Sequence, residues 1–306
     1  MVLNAKLLLH LSKKQRTSRS CLLISCSLGD FLQAGIGYVL QIVLTNTKRT
    51  SEAWYYECLS VSFTITFFGL ASITHLTFMA LDRSIHIGNP MLAMRMLDMK
   101  NGGWRAIVAF AWSISFIASV LPFLGFGSFN TKSNAISCSV SWQDRSNSSI
   151  AYIYLLITVF FVTPVVIFII LLLHDVYRLR ERRTAVKYLQ SGQSKVLVKR
   201  RKSTYKKKAH HYFRMVQIMI AVFILQWTPY VVNTLIVHTT SKKISYWLDF
   251  AANMIAKSST ISNPVIYLIW EKRGLRISSG SFGSSTSTRS QLSIKSTIAR
   301  KGSACV

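Results

Sequence analysis

Six stretches of this chain stay apolar for long enough to cross a bilayer, and each is bounded by polar or charged residues. They run from Cys21 to Leu44, Cys58 to Leu81, Trp104 to Phe126, Ile150 to Leu173, Tyr212 to Val237 and Tyr246 to Trp270. A membrane-crossing helix needs about 20 such residues, so each stretch predicts one span. A seventh apolar stretch, Met1 to Leu11, is too short to cross and runs straight into Lys13-Lys14-Gln15-Arg16. A signal peptide carries its positive charges before the apolar core and a small-residue cleavage site after it. The Met1 to Leu11 stretch therefore reads as the cytoplasmic end of a first helix whose outer half is missing. The expected fold is an all-α membrane protein, a seven-helix bundle with its first helix incomplete.

Charge sets the orientation, because short loops rich in Lys and Arg stay on the cytoplasmic side. Lys13, Lys14, Arg16 and Arg19 precede the first full span; Arg83, Arg95, Lys100 and Arg105 lie between the second and third; thirteen Lys or Arg lie between His174 and His211. The alternate segments are nearly neutral, with Lys48, Arg49, Glu52 and Glu57 in one and Lys132, Asp144 and Arg145 in the other, and these face outward. The composition agrees: 50% hydrophobic and 15% charged residues, with a formal charge of +27. That charge is a cytoplasmic rim suited to retention and to anionic lipid, so the lipid bilayer is the expected surface partner and nucleic acid is not.

Cys58 and Cys138 both face the oxidising side and can pair. Cys21, Cys26 and Cys305 are expected to be free. Asn147-Ser148-Ser149 is a glycan acceptor sequence in an outward loop. The chain has no Gly-rich phosphate loop, no metal-ligand spacing and no GxSxG elbow, so no enzyme motif and no metal site is predicted. His210-His211 point different ways on a helix and read as a solvated pair.

Polar residues inside the spans must be satisfied within the protein. They are Asp30, Asn263, the Asp82-Arg83 pair at the end of one span, and Lys257 in the stretch AKSSTISNPVIY. A lysine at membrane depth must be paired, solvated or reactive. Side chains lean toward the helix N-terminus, so the Lys257 amine reaches toward the extracellular half. Desolvated, it is a nucleophile.

Lys14-Gln15-Arg16-Thr17, Leu28-Gly29-Asp30, Cys58, Leu81-Asp82-Arg83, Trp112, Pro122, Cys138, Pro164, Trp227-Thr228-Pro229-Tyr230 and Asn263-Pro264-Val265-Ile266-Tyr267 form a set that covers nearly the whole chain. With 25 residues from Cys58 to Arg83 and ten from Trp112 to Pro122, the set resembles the rhodopsin-class (class A) seven-helix G-protein-coupled receptors. Lys257 stands six residues before Asn263, which is the mark of the opsins within that class. The resemblance implies retinal, 11-cis or all-trans, held as a Schiff base on Lys257. It implies pocket positions at Gly69, Thr66, Phe161, Trp227, Tyr230 and Ala256, with Trp227 as a steric trigger. It assigns a switch role to Asp30, Asp82, Arg83, Asn263, Pro264 and Tyr267, and implies a heterotrimeric G protein as partner at the plasma membrane.

Several positions depart from that pattern. The two places where opsins carry a counterion carboxylate hold Val61 and Lys132, which predicts either a deprotonated, ultraviolet-absorbing pigment or a bound chloride; Asp249 is the other candidate, eight residues from Lys257 and too far for a direct bridge. Ser84, Leu172 and Ala209 replace groups that support or restrain the cytoplasmic switch, which predicts raised dark activity. Residues 1–270 are the receptor domain, 271–277 a short helix 8, and 278–306 a disordered Ser/Thr-rich tail, read as a target for receptor kinase and arrestin. A receptor of the same fold for a diffusible ligand, and a retinal photoisomerase with little signalling, are the two competing readings.

Overall fold

Backbone N–H and C=O groups find no water in a bilayer core, so a crossing chain must pair them within its own helices. The computed structural model describes residues 1–13, 18–46, 51–88, 103–130, 138–142, 144–189, 196–240 and 245–280, and these form seven helical rods and one small hairpin. The first rod is α1 (Val2–Ser12). The second is α2 (Ser18–Leu32), a π-helical turn Gln33–Gly37 and α3 (Tyr38–Asn46). The third is α4 (Ser51–Gly88), and the fourth is α5 (Gly103–Val120), closed by a 3-10 turn Leu121–Leu124. The fifth is α6 (Asn147–Ile157), a π-helical turn Thr158–Val162 and α7 (Thr163–Leu189). The sixth is α8 (Val196–Thr240), and the seventh is α9 (Tyr246–Lys257) followed by α10 (Ser259–Gly280). The helix α4 packs against α2, α5, α7 and α8. Large apolar side chains such as Ile42, Phe110, Ile117, Leu173 and Leu225 are exposed around the outside, the side that lipid would cover.

Five rods are long and apolar enough to cross a membrane, and α1 is a shorter apolar helix. The stretch Tyr246 to Trp270, expected as one span, is instead two helices meeting at Ser258. Local chemistry explains the break. The Ser258 N–H is shared between the Met254 and Ile255 carbonyls, and its hydroxyl donates to Ile255 at 2.6 Å; such serine back-bonding bends helices. Six residues on, Pro264 has no N–H to give the Thr260 carbonyl. Asn4 Nδ2 from α1 donates to that carbonyl at 3.0 Å, so the short first helix repairs a bond that the proline leaves open.

A second polar connection ties three rods. Trp112 Nε1 donates to Ser25 Oγ at 2.9 Å, Ser25 Oγ lies 2.8 Å from His75 Nε2, and His75 Nδ1 lies 2.7 Å from the Ala71 carbonyl. A carbonyl only accepts, so Nδ1 carries the proton, Nε2 accepts from Ser25, and every group in the chain is satisfied. A neutral, fully buried histidine can therefore sit at the centre of the bundle.

The outer end is closed by a hairpin, β1 (Phe129–Asn130) antiparallel to β2 (Ser139–Val140), with Phe129 opposite Val140. The disulfide Cys58–Cys138, Cα atoms 5.2 Å apart, fastens it to α4. Gly127 enters the hairpin at φ +98°, and a Cβ there would collide with the Tyr152 ring. On the other side, Asp144 accepts from the Ser146 N–H at 3.0 Å and from the Ser128 and Ser149 hydroxyls at 2.7 Å each. These donors, the backbone one foremost, hold its carboxyl well below the usual carboxylate range.

Two further expectations change and one is met. The basic segment between His174 and His211 is largely helical, being extensions of α7 and α8, and only 190–195 lie outside the described residues. The helix expected at 271–277 is present as the last turns of α10, while residues 281–306 of the tail lie outside the described residues. Cys21, expected free, is disulfide-bonded, and Cys26 keeps a free thiol.

Gly127→Ala should lose about 2 kcal/mol or more of stability, through the left-handed backbone and the clash with Tyr152; thermal unfolding in detergent reads this as a lowered midpoint. The Asp144 cluster contributes stability above the unfolded carboxylate value of about 3.9, and that contribution is lost as the pH falls through the lower folded value. Asp144→Asn should therefore lower the unfolding midpoint at neutral pH and flatten its acid limb, and an unchanged acid limb would remove this role.

Candidate ligand cavity and cytoplasmic switch

Beneath the hairpin the rods line a cavity that is partly open to solvent. All seven pocket positions predicted from sequence line it: Thr66 and Gly69 from α4, Phe161 from the fifth rod, Trp227 and Tyr230 from α8, and Ala256 and Lys257 from α9. Cys138, Ser139, Val140 and Trp142 form its roof. The π turn before Pro164 has a visible cause. Thr163 Oγ1 donates to the Thr158 carbonyl at 2.8 Å, capping a carbonyl inside the bulge, and Phe160 and Phe161 from that turn face the cavity.

Aromatic rings form a continuous wall. Phe223 lies 5.8 Å from Trp227, Trp227 meets Tyr230 edge to face at 5.8 Å, and Tyr230 meets Trp142 edge to face at 4.9 Å. The offset and edge-on geometries are those that aromatic quadrupoles favour. On the other side Gly69 lets the Gln33 side chain pack close, because a Cβ there would stand 3.0 Å from Gln33 Nε2. The lining is apolar and aromatic with one primary amine, Lys257, and among the described residues it contains no carboxylate. Such a cavity suits a long apolar molecule carrying an electrophilic end.

Lys257 is held by groups that its sequence surroundings did not reveal. Its Nζ donates to Gln41 Oε1 at 2.9 Å and lies 5.7 Å from the centre of the Tyr38 ring. The Tyr38 hydroxyl donates to the Lys257 carbonyl at 3.4 Å. Next to the lysine, Gln226 Nε2 donates to the Ser258 and Ser262 hydroxyls at 2.7 Å each. The helix that carries Trp227 is thus bonded to the break in the seventh rod.

Of the predicted counterion positions, Val61 is buried beside the disulfide with Leu44 and Trp54, and Lys132 lies outside the described residues. Asp249 is exposed on α9, eight residues or about 12 Å of rise from Lys257.

Toward the cytoplasm, Asn263 Nδ2 donates to Asp30 Oδ2 at 3.0 Å in a site where both are buried. Asp82, Pro264 and Tyr267 are also buried, while the Arg83 side chain lies outside the described residues. His211, expected to be solvated, stacks on Trp270 with ring centres 5.4 Å apart. Its Nε2 donates to the Trp270 carbonyl at 2.9 Å and Trp270 Nε1 donates to the His211 carbonyl at 2.8 Å. Asn147 is exposed at the start of α6, whereas Ser149 is buried with its hydroxyl on Asp144.

Comparison with known proteins agrees with this arrangement. The family model described as "7 transmembrane receptor (rhodopsin family)" matches residues 5–267. The chain is 28% identical to Opsin-3 of Mus musculus over 276 residues, 88% of this chain and 64% of that protein, so it spans slightly less than two thirds of that relative. It is 28% identical to parapinopsin of Ictalurus punctatus over 262 residues, 85% of this chain and 71% of that one. It is 24% identical to the visual pigment-like receptor peropsin of Homo sapiens over 264 residues, 85% and 73% respectively. The crystal structure of squid rhodopsin superimposes with a TM-score of 0.76 at 20% identity, covering 92% of this chain and 80% of that one, a likeness of fold. By its motifs, its seven rods and this match along most of its length, the chain belongs to the rhodopsin family of seven-transmembrane receptors.

Proposed function

We propose that this chain is a light-sensing receptor that binds retinal covalently through Lys257 and passes its isomerisation to a heterotrimeric G protein. The observation that carries the reading is the convergence of the seven pocket positions implied by the resemblance on one roofed aromatic cavity with, among the described residues, a single amine in its wall. The fit is chemical. An apolar slot accepts a polyene, and a desolvated lysine accepts an aldehyde: the Nζ–carbon bond forms as the carbonyl oxygen leaves as water. Retinal, when bound, supplies a double bond whose configuration light changes. The chain's own part is mechanical. Trp227, packed between Phe223 and Tyr230, stands against the cavity, and Gln226 beside it bonds to Ser258, so displacement of the ring is felt in the seventh rod.

The cytoplasmic side fits the same reading. Extended, basic α7 and α8 offer a surface for an acidic partner, with Asp82-Arg83 at the end of the membrane-crossing part of α4. Where Ala209 leaves no acid to restrain Arg83, the reciprocal His211–Trp270 contact holds α8 to α10 instead. The tail at 278–306 supplies serines and threonines for a receptor kinase and arrestin. An exposed Asn147 at the outer end suits a glycan, and a multi-pass protein at the plasma membrane suits the whole.

Membranes carrying the chain and 11-cis-retinal should catalyse nucleotide exchange on a G protein in light and not in darkness, and Lys257→Ala should abolish the response. A covalent adduct without any light-driven exchange would favour a photoisomerase; activity without retinal would favour a diffusible-ligand receptor. The His211–Trp270 contact comprises two hydrogen bonds and a stacked pair, each worth about 1 kcal/mol. Trp270→Ala should therefore raise dark activity about tenfold or more, and dark activity equal to wild type would remove this restraint from the reading.

A further inference from the structure

We propose that Gln41 is the partner that holds the Lys257 nitrogen, and that its neutral amide stands where a carboxylate counterion would otherwise be. The proposal rests on the retinal reading above and goes beyond it. Gln41 is 7% exposed, and its Oε1 lies 2.9 Å from Lys257 Nζ. Tyr38, one turn earlier on α3, gives its hydroxyl to the Lys257 carbonyl and its ring face to the amine. Two residues of one helix face thus bracket the lysine at both ends of its side chain.

The chemistry of an amide explains why it fits here. An ammonium has only donors, so the amide oxygen must face it, as it does. Once Nζ is double-bonded to carbon, a neutral nitrogen presents a lone pair and no hydrogen. Rotation of the Gln41 amide by half a turn then presents Nε2–H to that lone pair. If the same nitrogen carries a proton, Oε1 accepts it. A carboxylate can only accept, and its charge selects the protonated state; glutamine serves both states and adds no net charge to an apolar cavity. No carboxylate among the described lining residues competes for the role.

The test uses the full chain loaded with 11-cis-retinal, as wild type and as Gln41→Glu, Gln41→Leu and Gln41→Asn. Acid trapping counts the adduct, an absorption spectrum locates its band, and the C=N stretch in H2O and D2O reports hydrogen bonding to the nitrogen. Wild type should absorb in the near ultraviolet. Gln41→Glu puts a carboxylate beside the nitrogen, favours its protonated form and should move the band into the visible, with a C=N stretch that shifts in D2O. Gln41→Leu should form adduct about tenfold more slowly, having lost the group that positions the amine, and its C=N frequency should move from wild type. Gln41→Asn keeps the amide on a shorter arm, and should fall between wild type and Gln41→Leu. Spectra and C=N frequencies identical in wild type and every folded variant overturn the proposal, wherever the band lies. Absence of adduct in folded wild type defeats the retinal reading itself, and this proposal with it.

Discussion

A primary amine inside a bilayer must be solvated by the protein that carries it. That constraint shapes the outer half of this molecule. Lys257 reaches Gln41 and the face of Tyr38, both on the second rod. Its own helix breaks at the next residue, and the Gln226 amide bonds the break to the sixth rod. The residue that carries the amine is thus next to a hydrogen-bonded connection to the helix that carries Trp227.

The same rule, that intramembrane polar groups find partners within the chain, accounts for the rest of the bundle. Asn263 answers Asp30, Asn4 answers the carbonyl that Pro264 leaves open, and Trp112, Ser25 and His75 answer one another across three rods. Each of these bonds joins different rods. They fix which faces of otherwise greasy helices meet, a role that hydrophobicity alone cannot fill when lipid is as apolar as the core.

Much of this was legible in the residues. Five spans followed from apolar length, and the seven cavity positions from the family resemblance that Lys257, Trp227 and Cys138 help to carry. What escaped has physical reasons. The π turn at Gln33–Gly37 takes up an extra residue and rotates the helix beyond it, so the direction of Tyr38 and Gln41 cannot be extrapolated from Asp30. His75, Ser25 and Trp112 sit on separate rods, and only packing brings them together. His211 looked solvated because its neighbours are basic; its partner, Trp270, is 59 residues away. The break at Ser258 was hidden in a stretch whose hydropathy continues through it.

The most direct test of the central claim is reductive trapping followed by peptide mass mapping. The chain, reconstituted with 11-cis-retinal in darkness and treated with borohydride, should yield one retinyl-bearing peptide, modified at Lys257. A folded chain that yields no retinyl peptide, or carries the modification on surface lysines in place of Lys257, would contradict the account.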